Sequence, residues 1–180
     1  MGGRLATRTV SIAEYLADPA YERVEYVDGE LVERNVGGKS HGRIQIKLGR
    51  KLDEYLETHP PGYVAAELHV KLVTGPKVEF RLPDLAVVLA DSSPKEEHLD
   101  GAPDLAVEIR SPGDSITELL RKMQLYFAHG AKLGWIVLPE ERSVLVLAPG
   151  KPVRTVTLGE LLDGGTLLPE LRIPLAEIFS

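Results

Sequence analysis

The chain has 180 residues, of which 43% are hydrophobic and 27% are charged, which excludes a disordered or fibrous protein and allows a sizeable core. It has no cysteine, which excludes disulfides, zinc–thiolate centres, iron–sulfur clusters and thiol nucleophiles. The net charge of −6 argues against a surface that holds nucleic acid by bulk electrostatics, although it leaves room for local basic patches.

The size is that of one domain, and we expect residues 1–180 to form it, with a core at about residues 40–148. The N-terminal segment lacks the apolar region of a signal peptide. No apolar stretch approaches the roughly 20 residues that span a bilayer. We therefore expect a cytoplasmic protein with no membrane partner.

The first predicted elements are a short helix and a β-hairpin. Ser11 and Glu14 have the spacing of a capping box, which predicts a helix over SIAEYLA. The dipeptide Asp28-Gly29 suits the positive φ angles of a type I′ turn and separates RVEYV from ELVERN. These two segments are therefore predicted to be the strands of a hairpin.

A long helix is predicted from Ser40 to the residues before Pro60, because its apolar residues recur with helical spacing. Arg43, Lys47 and Arg50 fall at i, i+4 and i+7 and so share one helix face. This basic face either contacts nucleic acid or is simply a solvated surface.

Strands are predicted in the middle of the chain. Alternation from Tyr63 to Leu72 predicts one half-buried strand, which carries Glu67 on its polar face. Asp84 opens the apolar run LAVVLA, which is typical of a strand covered on both faces. A polar loop through residues 91–100 follows.

In the second half of the chain, DLAVEIRSP predicts a strand with Asp104, Ala106, Glu108 and Arg110 on one face. Ser115 begins a capped helix that ends at Gly130 and carries Lys122 beside its apolar stripe. LGWIVL, SVLVLA and VRTVTL predict three further strands. The apolar segment over residues 159–180 is expected to pack back onto the body.

Two acidic residues in apolar strands give the chain its candidate chemistry. Mg²⁺ and Mn²⁺ prefer hard oxygen ligands, which Asp84 at a strand end and Glu108 on an adjacent strand can supply. Such a metal lowers the pKa of a bound water and stabilises charge on a phosphate. A nearby lysine such as Lys122 can orient or deprotonate the attacking water.

The Pro-Asp pair at residues 83–84 and the Glu-x-Arg triplet at residues 108–110 resemble the PD-(D/E)xK motif of restriction-endonuclease-like nucleases. More narrowly, the chain resembles the Uma-two family of endonucleases over roughly residues 10–148. That resemblance is carried by DGELVE, His41, LPDLAVV, PDLAVEIRSPGDS, the K-x-x-x-Y spacing of Lys122 and Tyr126, and GWIVL.

The resemblance implies an α/β (α+β) fold, with a restriction-endonuclease-like mixed central sheet flanked by helices and an N-terminal β-hairpin extension. It also implies that Asp84 and Glu108 bind Mg²⁺ or Mn²⁺, and that Glu67 adds a ligand or positions a water. The motif's lysine position holds Arg110, which cannot act as a base because it stays protonated. The resemblance therefore places the lysine function on Lys122.

Each assignment has a structural alternative. Glu108 could form an ion pair with Arg110 or Lys122, since a buried carboxylate needs a partner. Asp84 could cap a turn, Glu67 could lie on an exposed edge, and Lys122 could be a surface lysine. Further candidates for substrate contact are His41, Arg43, Lys47, Arg110 and Tyr126, the last of which could instead belong to the core.

Three functions remain open from the sequence. The first is a metal-dependent endonuclease that hydrolyses DNA phosphodiester bonds, with a homodimer expected because two-fold symmetry serves double-strand cutting. The second is a catalytically inactive nuclease-fold protein that acts as a nucleic-acid-binding or assembly module. The third is a small-molecule phosphodiesterase or other metal hydrolase.

Overall fold

The computed structural model describes residues 9–35, 37–59, 61–89 and 98–180. Most of the polar loop predicted over residues 91–100 lies outside the described residues, as does Pro60. The helices of the described part are α1 Ile12–Ala17, α2 Lys39–Thr58, α3 Ile116–Ala128 and α4 Leu175–Phe179, with a short 3₁₀ turn at Pro19–Tyr21. None of these described helices is both long and apolar enough to cross a membrane.

The strands of the described residues form three sheets. In chain order they are β1 Val24–Val27, β2 Glu30–Glu33, β3 Tyr63–Ala66, β4 His69–Thr74, β5 Lys77–Arg81, β6 Leu85–Val88, β7 His98–Asp100, β8 Leu105–Ile109, β9 Leu133–Leu138, β10 Ser143–Leu147, β11 Arg154–Val156, β12 Leu161–Gly164 and β13 Leu168–Pro174. The central sheet has the order β11-β10-β9-β8-β6-β3, the second has β2-β1-β5-β4-β7, and β12 pairs with β13.

The central sheet is mixed and has helices on both faces, which confirms the predicted fold class. Its β8 runs parallel to β9 and antiparallel to β6. The apolar stripe of α2, with Leu48 and Leu52 fully buried, packs on one face together with residues of β12, β13 and α4. On the other face α3 packs through Met123 and Tyr126. The C-terminal segment therefore packs back onto the body, as predicted.

The predicted hairpin forms, and it is part of a larger sheet. Its turn has positive φ at both Asp28 (49°) and Gly29 (96°), as a type I′ turn requires. Strand β1 also pairs with β5, placing Tyr26 opposite Phe80. The hairpin thus forms one edge of the five-stranded sheet, and both of its strands line a cleft.

The single strand predicted from Tyr63 to Leu72 is wrong. The chain breaks at Glu67, whose φ of 52° lies in the left-handed region, so β3 pairs with β6 while β4 pairs with β5 in the other sheet. Alternation continues across the break, and periodicity therefore could not reveal it. Strands β5 and β7 were also missed, although Gly75 and Pro76 are a turn signal before β5.

Candidate active site

A cleft of about 510 Å³ opens beside the ends of β6 and β8, between the β1–β2 hairpin and α3. Its lining brings together charged side chains that are far apart in the sequence: Glu25, Arg34, His41, Asp84, Glu108 and Lys122. The three residues predicted to carry the chemistry are therefore neighbours of one cleft.

Asp84 immediately precedes β6 and is only 2% exposed. Pairing of β6 with β8 brings its Oδ2 within 2.6 Å of the backbone N–H of Ile109, which donates to it. Its Oδ1 accepts a hydrogen bond from Arg34 at 2.5 Å and lies 3.3 Å from Nε2 of His41. Burial opposes ionisation, but His41 and Arg34 hold the pKa of Asp84 below its ordinary value. The carboxylate is therefore ionised at neutral pH.

Glu108 lies on the face of β8 that meets α3 and is 3% exposed. Its Oε1 accepts a hydrogen bond from the hydroxyl of Tyr126 at 2.8 Å and lies 3.3 Å from Nζ of Lys122. Burial raises the pKa of Glu108 to about 7; Lys122 lowers it, and the charges of Asp84 and Glu25 add to the rise. The alternative of an ion pair with Lys122 is thus present in the structure.

Lys122 is carried by α3, which begins after the N-cap Ser115, as predicted. Its Nζ lies 2.7 Å from Oε1 of Glu25 and bridges this residue to Glu108. Burial alone would lower the pKa of Lys122, but Glu108 and Glu25 raise it above its ordinary value. The amine therefore remains protonated at neutral pH and favours the orienting role over the role of a base.

Glu25 is a site residue that sequence reasoning missed. It lies on β1, is 3% exposed, and accepts hydrogen bonds from Arg81 at 2.9 Å and from the backbone N–H of Leu82 at 3.3 Å. Burial opposes its charge, yet Lys122 and Arg81 lower its pKa to about 2. A carboxylate between apolar strand residues was the available signal, and the same signal identified Glu108.

Arg34, which follows β2, was also missed. One guanidinium nitrogen binds Asp84 and another lies 3.3 Å from Oε1 of Glu67, so the arginine bridges these two carboxylates. Glu67 also lies 3.8 Å from Nε of Arg23 and is about one-third exposed at its side chain. Glu67 is thus connected to Asp84 through a cation of the protein.

His41 lies in the first turn of α2 and enters the cleft. Besides its contact with Asp84, its Nδ1 lies 3.1 Å from the hydroxyl of the buried Ser111. Burial lowers the pKa of His41, but the hydrogen bond and charge of Asp84 raise it above its ordinary value. His41 is therefore placed to carry positive charge next to Asp84.

The other predicted contact residues lie elsewhere. Tyr126 is fully buried, and its hydroxyl donates a hydrogen bond to Glu108 at 2.8 Å. Arg110 does not line the cleft, because its guanidinium donates to Glu141 at 2.9 Å. Arg43 and Lys47 contact Ser180, and Arg43 lines a second groove of about 500 Å³ together with Lys39 and Arg142.

Within the part of the chain that the structure describes, no three His, Asp or Glu side chains gather as a ready-made metal centre. The carboxylates instead hold cations of the protein. Arg34 lies between Asp84 and Glu67, and Lys122 lies between Glu25 and Glu108. The carboxylates of Asp84, Glu108 and Glu67 therefore do not converge on one shared metal position in this structure.

Comparison with known proteins assigns the chain to a family. The model of the Uma2 family, described as "Putative restriction endonuclease", matches residues 12–176. Among solved structures, the chain is similar to a protein from Anabaena variabilis described as "a putative nuclease", with 22% sequence identity, a TM-score of 0.81, and coverage of 94% of this chain and 97% of that one. This second likeness shows a shared fold. No curated protein matches the chain. Because the family model spans most of the sequence, the chain belongs to the Uma2 family.

Proposed function

We propose that this protein is an endonuclease that hydrolyses phosphodiester bonds of DNA with the help of Mg²⁺ or Mn²⁺. The observation that carries the proposal is that Asp84, Glu108 and Lys122 line one cleft. The descriptions of the Uma2 family and of the Anabaena variabilis protein support the same activity. The support for a nuclease does not come from the fold alone, since the cleft combines carboxylate oxygens, which can bind a metal, with cations that can bind a phosphate.

The donor set fits a hard divalent cation. Asp84 and Glu108 supply carboxylate oxygens, and the charge of Asp84 raises the pKa of Glu108, so the two acids repel each other when both are ionised. A divalent cation would relieve that repulsion. We assign Asp84 and Glu108 as the residues that would hold it, with Glu67 as a further ligand or as a residue that positions water.

Bound Mg²⁺ or Mn²⁺ would stabilise charge on the reacting phosphate and acidify water. The chain's own residues do the rest. Lys122, held protonated by Glu25 and Glu108, stabilises negative charge and orients the attacking water from its Nζ. Tyr126 orients the carboxyl group of Glu108, because its hydroxyl donates a hydrogen bond to Oε1. His41 contacts Oδ1 of Asp84 at 3.3 Å and helps to hold its carboxylate in place.

DNA would extend from the cleft past the start of α2 to the second groove. Among the residues that the structure describes, Lys39, Arg43 and Arg142 line that groove, and no Asp or Glu side chain does. Cations in such a groove bind backbone phosphates without reading sequence. The groove therefore supplies a local basic patch on a chain whose net charge is −6.

The competing function is a nuclease-fold protein that binds nucleic acid or assembles complexes without cutting. Two observations favour it: Arg34 and Lys122 already neutralise the acidic side chains, and Arg110 replaces the motif's lysine and points towards Glu141. This alternative predicts DNA binding without cleavage under any metal condition.

The test is a plasmid-cleavage assay with Mg²⁺ or Mn²⁺. The wild-type protein is expected to nick or cut the plasmid, whereas Asp84→Ala and Glu108→Ala should each abolish cutting, because removing a ligand of a divalent cation removes its binding. Glu54→Ala serves as the matched control, since Glu54 is an exposed carboxylate that pairs with Arg50 on α2. Cleavage that persists in both cleft variants would reveal a contaminant and contradict the proposal.

We further propose that the chain functions as one domain in the cytoplasm and that two copies associate, because two-fold symmetry places two active sites on opposite DNA strands. Light scattering of the purified protein measures the mass in solution and so tests whether two copies associate. A mass of about 39 kDa, twice the 19.7 kDa of one chain, is expected. A monomer at all protein concentrations would contradict the dimer.

A further inference from the structure

The guanidinium group of Arg34 lies between two carboxylates of the candidate site, Asp84 and Glu67. Its side chain is 18% exposed, and its two terminal nitrogens reach Oδ1 of Asp84 at 2.5 Å and Oε1 of Glu67 at 3.3 Å. The charges of Glu108 and Glu25 also act on it. Arg34 is therefore the counter-ion for the acidic wall of the cleft.

The contacts of Asp84 place Arg34 next to any cation that binds this carboxylate. Oδ2 of Asp84 accepts a hydrogen bond from the backbone N–H of Ile109 at 2.6 Å, and Oδ1 is the oxygen that faces Arg34 and His41. Arg34 donates to that oxygen, with His41 at 3.3 Å. A divalent cation bound to Oδ1 would face the positive charge of the guanidinium at contact distance, and the two cations repel each other.

We propose that Arg34 competes with the divalent cation for Asp84 and Glu67, so that metal binding requires the guanidinium to leave these two carboxylates. This inference rests on the proposed function, because it concerns the same metal site. It assigns Arg34 the role of a positioning residue, which keeps the acidic side chains paired and in place until the cation arrives.

The surroundings of Arg34 suit a movement of its side chain alone. The next residue, Asn35, donates its side-chain amide to Asp114 at 2.5 Å and so ties the backbone of this segment to the far side of the cleft. The long arginine side chain has enough rotatable bonds to turn away from Asp84 while its backbone stays fixed. No rearrangement of β2 or α2 is required.

The experiment is calorimetric titration of Mn²⁺ into the wild-type protein and into Arg34→Met, which replaces the unbranched apolar stem of arginine and removes the guanidinium charge. Arg34→Met is expected to bind Mn²⁺ roughly tenfold more tightly than wild type, because no cation has to be displaced. Thermal unfolding gives a second readout. Without metal the variant should unfold at a lower temperature than wild type, and Mn²⁺ should raise its unfolding temperature more than it raises that of wild type.

Arg154→Met is the matched control, since Arg154 pairs with Asp163 at 2.7 Å away from the cleft. It should leave Mn²⁺ affinity unchanged. If Arg34→Met does not fold, Arg34→Lys keeps a positive charge but replaces the two-nitrogen contact of the guanidinium with a single ammonium on a shorter side chain, and it should bind Mn²⁺ more tightly than wild type by a smaller factor.

The outcomes separate this inference from the proposed function. Equal or weaker Mn²⁺ binding by folded Arg34 variants, with clear binding by wild type, overturns the competition and leaves the nuclease proposal standing. No Mn²⁺ binding by wild type or by any variant overturns both, because the metal site itself would then be absent.

Discussion

Glu108 is the residue at which stability and proposed function conflict most clearly. Its carboxyl group is buried, and its pKa is raised to about 7 by burial and by the charges of Asp84 and Glu25, against the opposing effect of Lys122. Ionising this group therefore costs folding free energy that a neutral side chain would not cost. Active sites commonly retain such destabilising groups because the chemistry needs them.

Glu108→Gln is expected to stabilise the metal-free protein at pH 8 by about 1–3 kcal/mol. The folded pKa is raised, so the stability linked to this group is full below the unfolded value of 4.5 and is lost as pH rises through about 7. The stability advantage of Glu108→Gln over wild type should therefore vanish near pH 4.5. Urea denaturation at both pH values measures it, and a variant less stable than wild type at pH 8 would contradict the assignment.

Glu25 shows the opposite behaviour, because Lys122 and Arg81 lower its pKa to about 2 despite its burial. The stability linked to Glu25 is present above the unfolded value of 4.5 and is lost as pH falls towards 2. Glu25→Gln should cost about 3 kcal/mol at pH 7, since it removes a buried carboxylate that both Lys122 and Arg81 contact, and the cost should shrink as pH falls below 4.5.

Urea denaturation across that pH range measures the effect of Glu25→Gln. Glu79→Gln is its matched control, because Glu79 also binds Arg81, at 2.5 Å, but does not contact Lys122. A cost for Glu25→Gln no larger than that of Glu79→Gln would mean that the contact with Lys122 adds no stability.

At the scale of elements, capping boxes and apolar periodicity predicted α1, α2 and α3, and the turn dipeptide Asp28-Gly29 predicted the β1–β2 hairpin. Local sequence signals suffice there because each element is specified by residues within a few positions of one another. The same reasoning failed at Glu67, where the break between β3 and β4 depends on pairing with two different sheets. The residues of the basic face predicted on α2 have different surroundings: Arg50 pairs with Glu54, while Arg43 lines the groove.

The groove at the start of α2 predicts how DNA binding responds to mutation. Arg43→Ala and Arg142→Asn should each weaken duplex DNA binding several-fold and reduce the salt slope by about 1, because each removes one phosphate contact. Asparagine is chosen at Arg142 because its φ of 48° disfavours alanine. Fluorescence anisotropy without divalent metal, at several salt concentrations, measures the effect.

Arg50→Ala is the control on the same helix and should leave DNA affinity and the salt slope unchanged. Variants of Arg43 and Arg142 that bind DNA as tightly as wild type, with the same salt dependence, would remove the groove from the binding surface.

At the scale of the whole molecule, the cleft lies where the two large sheets meet. The five-stranded sheet contributes Glu25, while the central sheet contributes Asp84 and Glu108, and α3 adds Lys122. Motif resemblance and polar residues in apolar strands located the last three. Glu25 carried the same signal as Glu108, a carboxylate between apolar strand residues, but Arg34 carried none, because its partners Asp84 and Glu67 lie 50 and 33 positions away and leave no local pattern.

The most direct test of the central claim is anomalous diffraction at the manganese absorption edge from crystals of the protein grown with Mn²⁺. The account predicts an anomalous peak in the cleft, in contact with both Asp84 and Glu108, with the guanidinium of Arg34 turned away from Asp84. A cleft without a peak at saturating Mn²⁺, with Arg34 still bridging Asp84 and Glu67, would contradict it.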